Sequence, residues 1–186
     1  MYTEARHPKT QAGISLVELI MFIVIVSIAV AGILSVMNVT SRASADPMQR
    51  KQAVAVAESL LEEIELQSLT FCDPDDVNAR NALSTADCAT VQGLGRTAGE
   101  TRSAEPRFDN VGDYHGFSMS GIRDLQDTAI AGLESYTASV NIVEDGASFG
   151  LAAADALRID VHVVAGTATD ITLSGYRFRY APRAVP

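Results

Sequence analysis

A single carboxylate, Glu18, stands at the edge of a long apolar run. No charged residue occurs from position 19 to position 41, and residues 19–28 read LIMFIVIVSI. A lone ionised carboxylate near the centre of a bilayer costs about 2.5–3.5 kcal/mol on insertion scales, and less near the interface. Glu18 therefore either snorkels to the headgroups or waits for a positive partner inside the membrane. A second concentration of chemically useful side chains lies between Cys72 and Cys88, where Asp73, Asp75, Asp76 and Asn78 surround Pro74. Hard cations take carboxylate and amide oxygens, which makes Asp73, Asp75 and Asp76 a weak calcium candidate. No EF-hand spacing follows. The stronger reading is structural: Asp73 caps a short helix, Pro74 takes its first position, and Asp75 and Asp76 favour its positive end. No Ser, Cys or carboxylate stands in a recognisable catalytic constellation, and the three histidines are isolated. The chain is thus expected to be no enzyme and to need no cofactor.

Composition narrows the partners. The chain has 186 residues, with 14 Lys and Arg against 23 Asp and Glu, a formal charge of −9, and no Trp. That length suits one globular domain plus an appendage. The negative balance argues against a phosphate-binding surface and so against nucleic acid. Two cysteines and three histidines leave little material for a transition-metal site. A mean hydropathy of +0.14 is high for so acidic a chain, so one segment must carry a disproportionate apolar load.

The segment around positions 14–41 does so. About twenty apolar residues at ~1.5 Å rise span the hydrocarbon of a bilayer. A buried core helix is the alternative, but this run lacks a polar stripe. Arg6, His7 and Lys9 precede it and favour keeping the N-terminal end in the cytoplasm, although Glu4 and the later Arg42, Arg50 and Lys51 weaken that bias. Cys72 and Cys88 then fall on the far, oxidising side of the membrane, where an even count favours a disulfide. Closing a loop of about fifteen residues contributes ~3 kcal/mol in the chain-entropy model.

The stretch Gly13-Ile14-Ser15-Leu16-Val17-Glu18-Leu19-Ile20 resembles the class III signal of type IV pilins and type II secretion pseudopilins. The resemblance implies cleavage by a prepilin peptidase between Gly13 and Ile14, methylation of Ile14 as the new first residue, and an assembly role for Glu18. Major pilins usually carry Phe where Ile14 stands, so the departure bears on the type of subunit. The stretches SADPMQRKQAVAVAESLLEEIELQSLTFCDPDD, FDNVGDY and LSGYRFRYAP are similar to the D-type minor pilins of mannose-sensitive haemagglutinin (MSHA) pili. This implies a pilin-like α+β fold, a long N-terminal helix packed on an antiparallel C-terminal sheet. It also implies a single-pass inner-membrane precursor with a periplasmic domain, later carried on a cell-surface pilus. The partners implied are the prepilin peptidase, other pilin subunits and the inner-membrane assembly machinery. A type II secretion minor pseudopilin shares the N-terminal signal, and an anchored periplasmic binding protein or enzyme is a third reading.

The expected organisation is a leader (1–13), a membrane and filament-core helix (14–41), an amphipathic periplasmic helix (42–70), a disulfide-closed variable region (71–135) and a sheet (136–186). An irregularity is expected at Asp46-Pro47, with Asp46 capping a restarted helix. Ala53, Val54, Ala57, Leu60, Leu61 and Ile64 recur at helical spacing as a core stripe, with Lys51, Glu58, Glu62 and Glu65 on the solvated face. Residues 93–107, with Arg96, Arg102 and Arg107, read as an exposed loop. Tyr114, His115 and Phe117 form an aromatic and polar cluster that suits a covered loop edge better than a glycan site. In the sheet, Tyr136, Ala138, Val140 and Ile142 alternate with polar neighbours, as do Leu157, Ile159, Val161 and Val163, placing His162 outward. Ile171 and Leu173 continue the pattern. Tyr176, Phe178 and Tyr180 then have the opposite parity, which predicts a β-bulge at Ser174-Gly175 with Arg177 and Arg179 facing out.

Overall fold

A computed structural model describes residues 13–97, 99–166 and 169–185; of residues 39–46 it describes the backbone alone. Residues 1–12, most of the expected leader, and Thr167 and Ala168 lie outside the described residues. Helix α1 runs from Leu16 to Glu65 with Pro47 inside it. The interruption expected at Asp46-Pro47 is therefore not present in the backbone. Proline removes one hydrogen bond and crowds one carbonyl, a cost confined to one turn. The Ala-, Leu-, Gln- and Glu-rich sequence that follows has strong helical preference to offset it. The side chain of Asp46 lies outside the described residues, and so does its expected capping role. The chain divides into two compact units, Met1–Ala45 and Asp46–Pro186.

In the second unit an α+β architecture follows from two periodicities. Ala53, Val56, Ala57, Leu60, Leu61 and Ile64 are buried along one face of α1, the 3.6-residue stripe of an amphipathic helix. Val56 takes the place expected for Val54, which is only half-buried. These side chains pack on a four-stranded antiparallel sheet of order β1 (Ser118–Ser120), β2 (Tyr136–Glu144), β3 (Ala156–Ala165) and β4 (Thr169–Phe178). Ala138 faces Val163, Val140 faces Val161 and Ile142 faces Ile159 across β2 and β3, and all six are buried. His162 is on the other face, 2.8 Å from Asp170, as its parity required.

The expected bulge in β4 is absent. Val161 pairs with Leu173, Asp160 with Ser174, Ile159 with Gly175 and Arg158 with Tyr176 in unbroken register. Ile171, Leu173, Gly175 and Arg177 thus share the helix-facing side, while Tyr176 and Phe178 face outward. The sequence changes parity because the inward positions change residue type. A Cβ on Gly175 would collide with the Glu65 carboxylate and come within 3.0 Å of Leu61 Cδ1, so any side chain here would force both helix residues to shift. Arg177 reaches under the end of α1 and donates from Nη2 to the Gln67 carbonyl at 3.0 Å. The helix has no basic residue in its own last turn, and Arg177 supplies positive charge where the macrodipole is negative. Arg179 is also turned in: its guanidinium lies 4.8 Å from the centre of the Phe71 ring and 3.4 Å from Asp155. On the outer face Phe149 meets Tyr176 and Phe178 edge-on, with centroids 5.2 and 5.0 Å apart. Those contacts cluster three rings that stay exposed on the face where Arg177 and Arg179 were expected.

Replacing Gly175 with valine is expected to destabilise the domain by about 1–3 kcal/mol through overpacking against Leu61. Urea unfolding measures it; a variant as stable as the parent would show that the helix does not press on this strand.

Candidate functional site

Gly13 and Ile14 are exposed, and space around Gly13 is open. The first turn of α1 holds Glu18, also exposed, near the positive end of the helix, where a carboxylate is favoured. The segment Leu16–Asn38 has a mean hydropathy of 3.0, and none of it is buried by the rest of the protein. The alternative of a buried core helix therefore fails. The segment is long and apolar enough to cross a membrane, as an anchor or as a signal sequence.

Cys72 and Cys88 form a disulfide, sixteen residues apart in sequence. Cys72 is buried against Ala79 and Ala82, so the bridge closes its loop around a small apolar cluster. The short helix expected after Asp73 is a series of turns instead. Asp73 Oδ1 accepts from the Asp75 amide at 2.8 Å, and the Asp76 amide donates to the Asp73 carbonyl at 2.9 Å. An Asx turn thus satisfies locally the groups a helix would have satisfied. Of the weak calcium candidates, Asp76 is spent on backbone donors: Oδ1 accepts from Asn78 at 2.7 Å, and Oδ2 accepts from the Thr90 amide. Those bonds, Thr90 first, hold its carboxyl below the ordinary carboxylate range.

Asp73 and Asp75 have other company. Their carboxylates lie within 4.8 Å of that of Glu100, and the Glu100 carboxylate lies equally near those of Asp109 and Asp113. Three segments distant in sequence supply the five groups. Asp113 is fixed by the short 3-10 helix Val111–Tyr114, whose cap Asn110 accepts from the Gly112 amide at 3.1 Å. In return Asp113 Oδ2 accepts from the Asn110 amide at 2.8 Å, and Gln92 Nε2 donates to Oδ1 at 2.8 Å. Asn110 is tied down by Thr70 at 2.7 Å. Burial, followed by the neighbouring Asp113 and Asp73 charges, pushes both Glu100 and Asp109 up to about 7. The residues from 93 to 107 are consequently not all exposed loop: Glu100 is 3% exposed. An acidic residue in a Gly- and Thr-rich stretch gives no periodicity from which burial could be read. The Asn110-x-x-Asp113 spacing was the available signal, since it has the form of a capping box.

A second, mostly buried polar group joins the same region to α1. Arg102 pairs with Glu63 through two parallel bonds, Nε to Oε1 at 2.8 Å and Nη2 to Oε2 at 2.7 Å. Tyr114 donates its hydroxyl to Glu63 Oε1 at 2.8 Å. Arg102 Nη1 donates to the carbonyls of Arg123 and Asp124. Burial, and then the Glu63 charge, pushes the Tyr114 phenol above its usual range. Burial alone would depress the Arg102 guanidinium, but the Glu63 hydrogen bonds and charge more than restore it. Glu63 was hidden among the glutamates of the helix, yet it lies three residues after Leu60 and seven after Val56, at the edge of the apolar stripe. His115 is structural, its Nδ1 accepting from the Ile142 amide at 3.1 Å. Tyr114 and Phe117 pack with Phe108 as edge-on aromatic pairs, the covered loop edge that the sequence favoured.

The described chain is an α+β domain preceded by an apolar helix able to cross a membrane. No family model, curated protein or solved structure matches the chain.

Proposed function

We propose that this chain is a structural subunit of a type IV pilus, a minor pilin similar to the D-type minor pilins of MSHA pili. The observation that carries the reading is the combination of Gly13-Ile14, Glu18 at the fifth position after the glycine, and an apolar helix with no protein cover. Residues 1–13 are a leader, removed by a prepilin peptidase, and Ile14 becomes a methylated terminus. The apolar helix stores the precursor in the inner membrane with its domain in the periplasm. Within the filament the same helix packs among its neighbours, and the domain faces outward on the cell surface. Close packing and polar pairing drive such association, because lipid is as apolar as the helix itself. The globular-domain resemblance favours a pilus over a type II secretion pseudopilus. The partners are other pilin subunits and the assembly machinery; the chain catalyses nothing and binds no nucleic acid.

Coexpression with a prepilin peptidase, followed by intact-mass analysis of the membrane-extracted chain, is expected to give a product starting at Ile14 and carrying one added methyl group. A chain that retains residues 1–13 under these conditions would favour a simple anchor and overturn the proposal. Copurification with sheared pili separates pilus from secretion system, and its failure in an otherwise normal strain would count against the pilus.

A further inference from the structure

We propose that the free edge of β4 pairs antiparallel with the same edge of a second copy of this chain, joining two sheets into one. The hydrogen bonds of the sheet show which groups are free. The Asp145 amide donates to the Ala156 carbonyl at 2.8 Å, and the Arg179 amide to the Asp155 carbonyl at 2.9 Å. Bonding alternates along an antiparallel ladder, so even-numbered residues of β3 bond to β2 and its odd-numbered residues bond to β4. Asp170, Thr172, Ser174 and Tyr176 therefore turn their amides and carbonyls away from β3. Among the described residues no hydrogen bond reaches those groups, and the four side chains are exposed.

A free edge accepts an extended chain, because its donors and acceptors repeat at strand spacing. Edges are commonly blunted by shortness, proline, lysine, a bulge or an inward charge. The opposite edge, β1, is three residues long. Strand β4 has ten residues, with no proline or lysine and no break in register. Its one inward charge, Arg177, is engaged by the Gln67 carbonyl. The strand also matches itself. With Leu173 on the two-fold axis, Asp170 faces Tyr176 and Thr172 faces Ser174, so all four free residues find partners. On the helix-facing side Leu173 meets Leu173, Ile171 meets Gly175 and Thr169 meets Arg177. No like charges stand opposite one another, the arrangement that would oppose pairing. Ile171 and Leu173, half-buried in one copy, gain cover from the other. Pairing of this kind also closes, since the joined sheet ends on both sides in the short β1 and offers no long edge for further addition. Charge, register and closure thus favour a second copy over a strand of unrelated sequence. The inference stands independently of any role in a pilus.

The test uses the full chain in detergent micelles, with Thr172→Cys and Ser174→Cys made separately. Among the described residues the parent has no free thiol to interfere. Directly opposed residues that exchange hydrogen bonds have Cα atoms about 5.5 Å apart, within disulfide range, whereas diagonal neighbours at about 7–8 Å are beyond it. Under mild oxidation at about 0.1 mM chain, a mixture of the two variants is expected to crosslink about ten-fold more than either variant alone. Thr172→Pro removes an outward amide and no bond to β3. It is expected to weaken association about ten-fold or more in sedimentation equilibrium, with the Tm changed by less than about 3 °C. The crosslinking result holds even where the proline lowers stability. A parent chain that stays monomeric would leave the edge to a strand of another protein and overturn the proposal. So would equal crosslinking in every mixture, or association that a folded Thr172→Pro variant leaves unchanged.

Discussion

On the pilin reading proposed above, replacing Glu18 with alanine is expected to exclude the subunit from pili while leaving cleavage after Gly13 and insertion in the membrane intact. In the proposed pilin, cleavage after Gly13 would turn the Ile14 nitrogen into a positively charged amine beside an apolar helix. That charge and the Glu18 carboxylate are each costly in hydrocarbon when alone, and a neighbour's Glu18 can neutralise the amine. A charged group left at membrane depth costs about 2.5–3.5 kcal/mol, which corresponds to roughly 60–300-fold in an assembly equilibrium at 1.4 kcal/mol per tenfold. Insertion is a different matter. Alanine removes a charge from the segment, so the precursor should enter the membrane at least as readily. Glu18→Gln, which preserves size, should behave as the alanine variant does, because the charge is the operative feature. Immunoblots comparing sheared pili with membranes would measure the partition. Ordinary amounts of Glu18→Ala in the pili would end the assembly role.

The elements set by local periodicity were legible. An uncharged run and a stripe at helical spacing locate the two parts of α1, and strict alternation locates the inward faces of β2 and β3. Pairing of Cys72 with Cys88 followed from the compartment expected for them. Parity in β4 was misread because alternation of hydrophobicity reports burial only where inward positions are apolar. Here one inward position is a glycine, emptied for the helix, and the next is Arg177, whose charge serves the helix end. The outward Tyr176 and Phe178 stay exposed and are flanked edge-on by Phe149 from the β2–β3 connection. A long-range contact of that kind leaves no trace in the local pattern.

The acidic site was half legible for the same reason. Asp73, Asp75 and Asp76 are adjacent in sequence and attract notice together, but only the first two face the cluster. Glu100, Asp109 and Asp113 arrive from segments whose proximity is created by the fold. Asp76, nearest to them in sequence terms, is diverted by the Thr90 amide across the disulfide loop. Sequence proximity therefore overestimates one member of the cluster and conceals three.

Arg102→Ala is expected to cost about 3–5 kcal/mol, because it leaves the Glu63 carboxylate buried with one hydroxyl as its partner. The side chains of the pair are 12% and 14% exposed, so solvent cannot take over as it does for a surface pair, where the loss is about 0–1 kcal/mol. The guanidinium also donates to the Arg123 and Asp124 carbonyls, and those groups lose a donor as well. Against a total stability of about 5–15 kcal/mol for a domain, the loss corresponds to a fall in Tm of roughly 10–20 °C. The double variant Arg102→Met with Glu63→Gln separates the cost of an orphaned charge from the value of the pair. The glutamine introduced by Glu63→Gln would still accept from Tyr114, and methionine would refill much of the space left by the arginine stem. Removing both charges is therefore expected to recover most of the stability, since a buried ion pair often contributes little beyond what a well-packed uncharged pair would. A loss in Arg102→Ala of less than about 1 kcal/mol, the surface value, would show that the pair is not the buried tie between α1 and the central loop that the bidentate geometry describes.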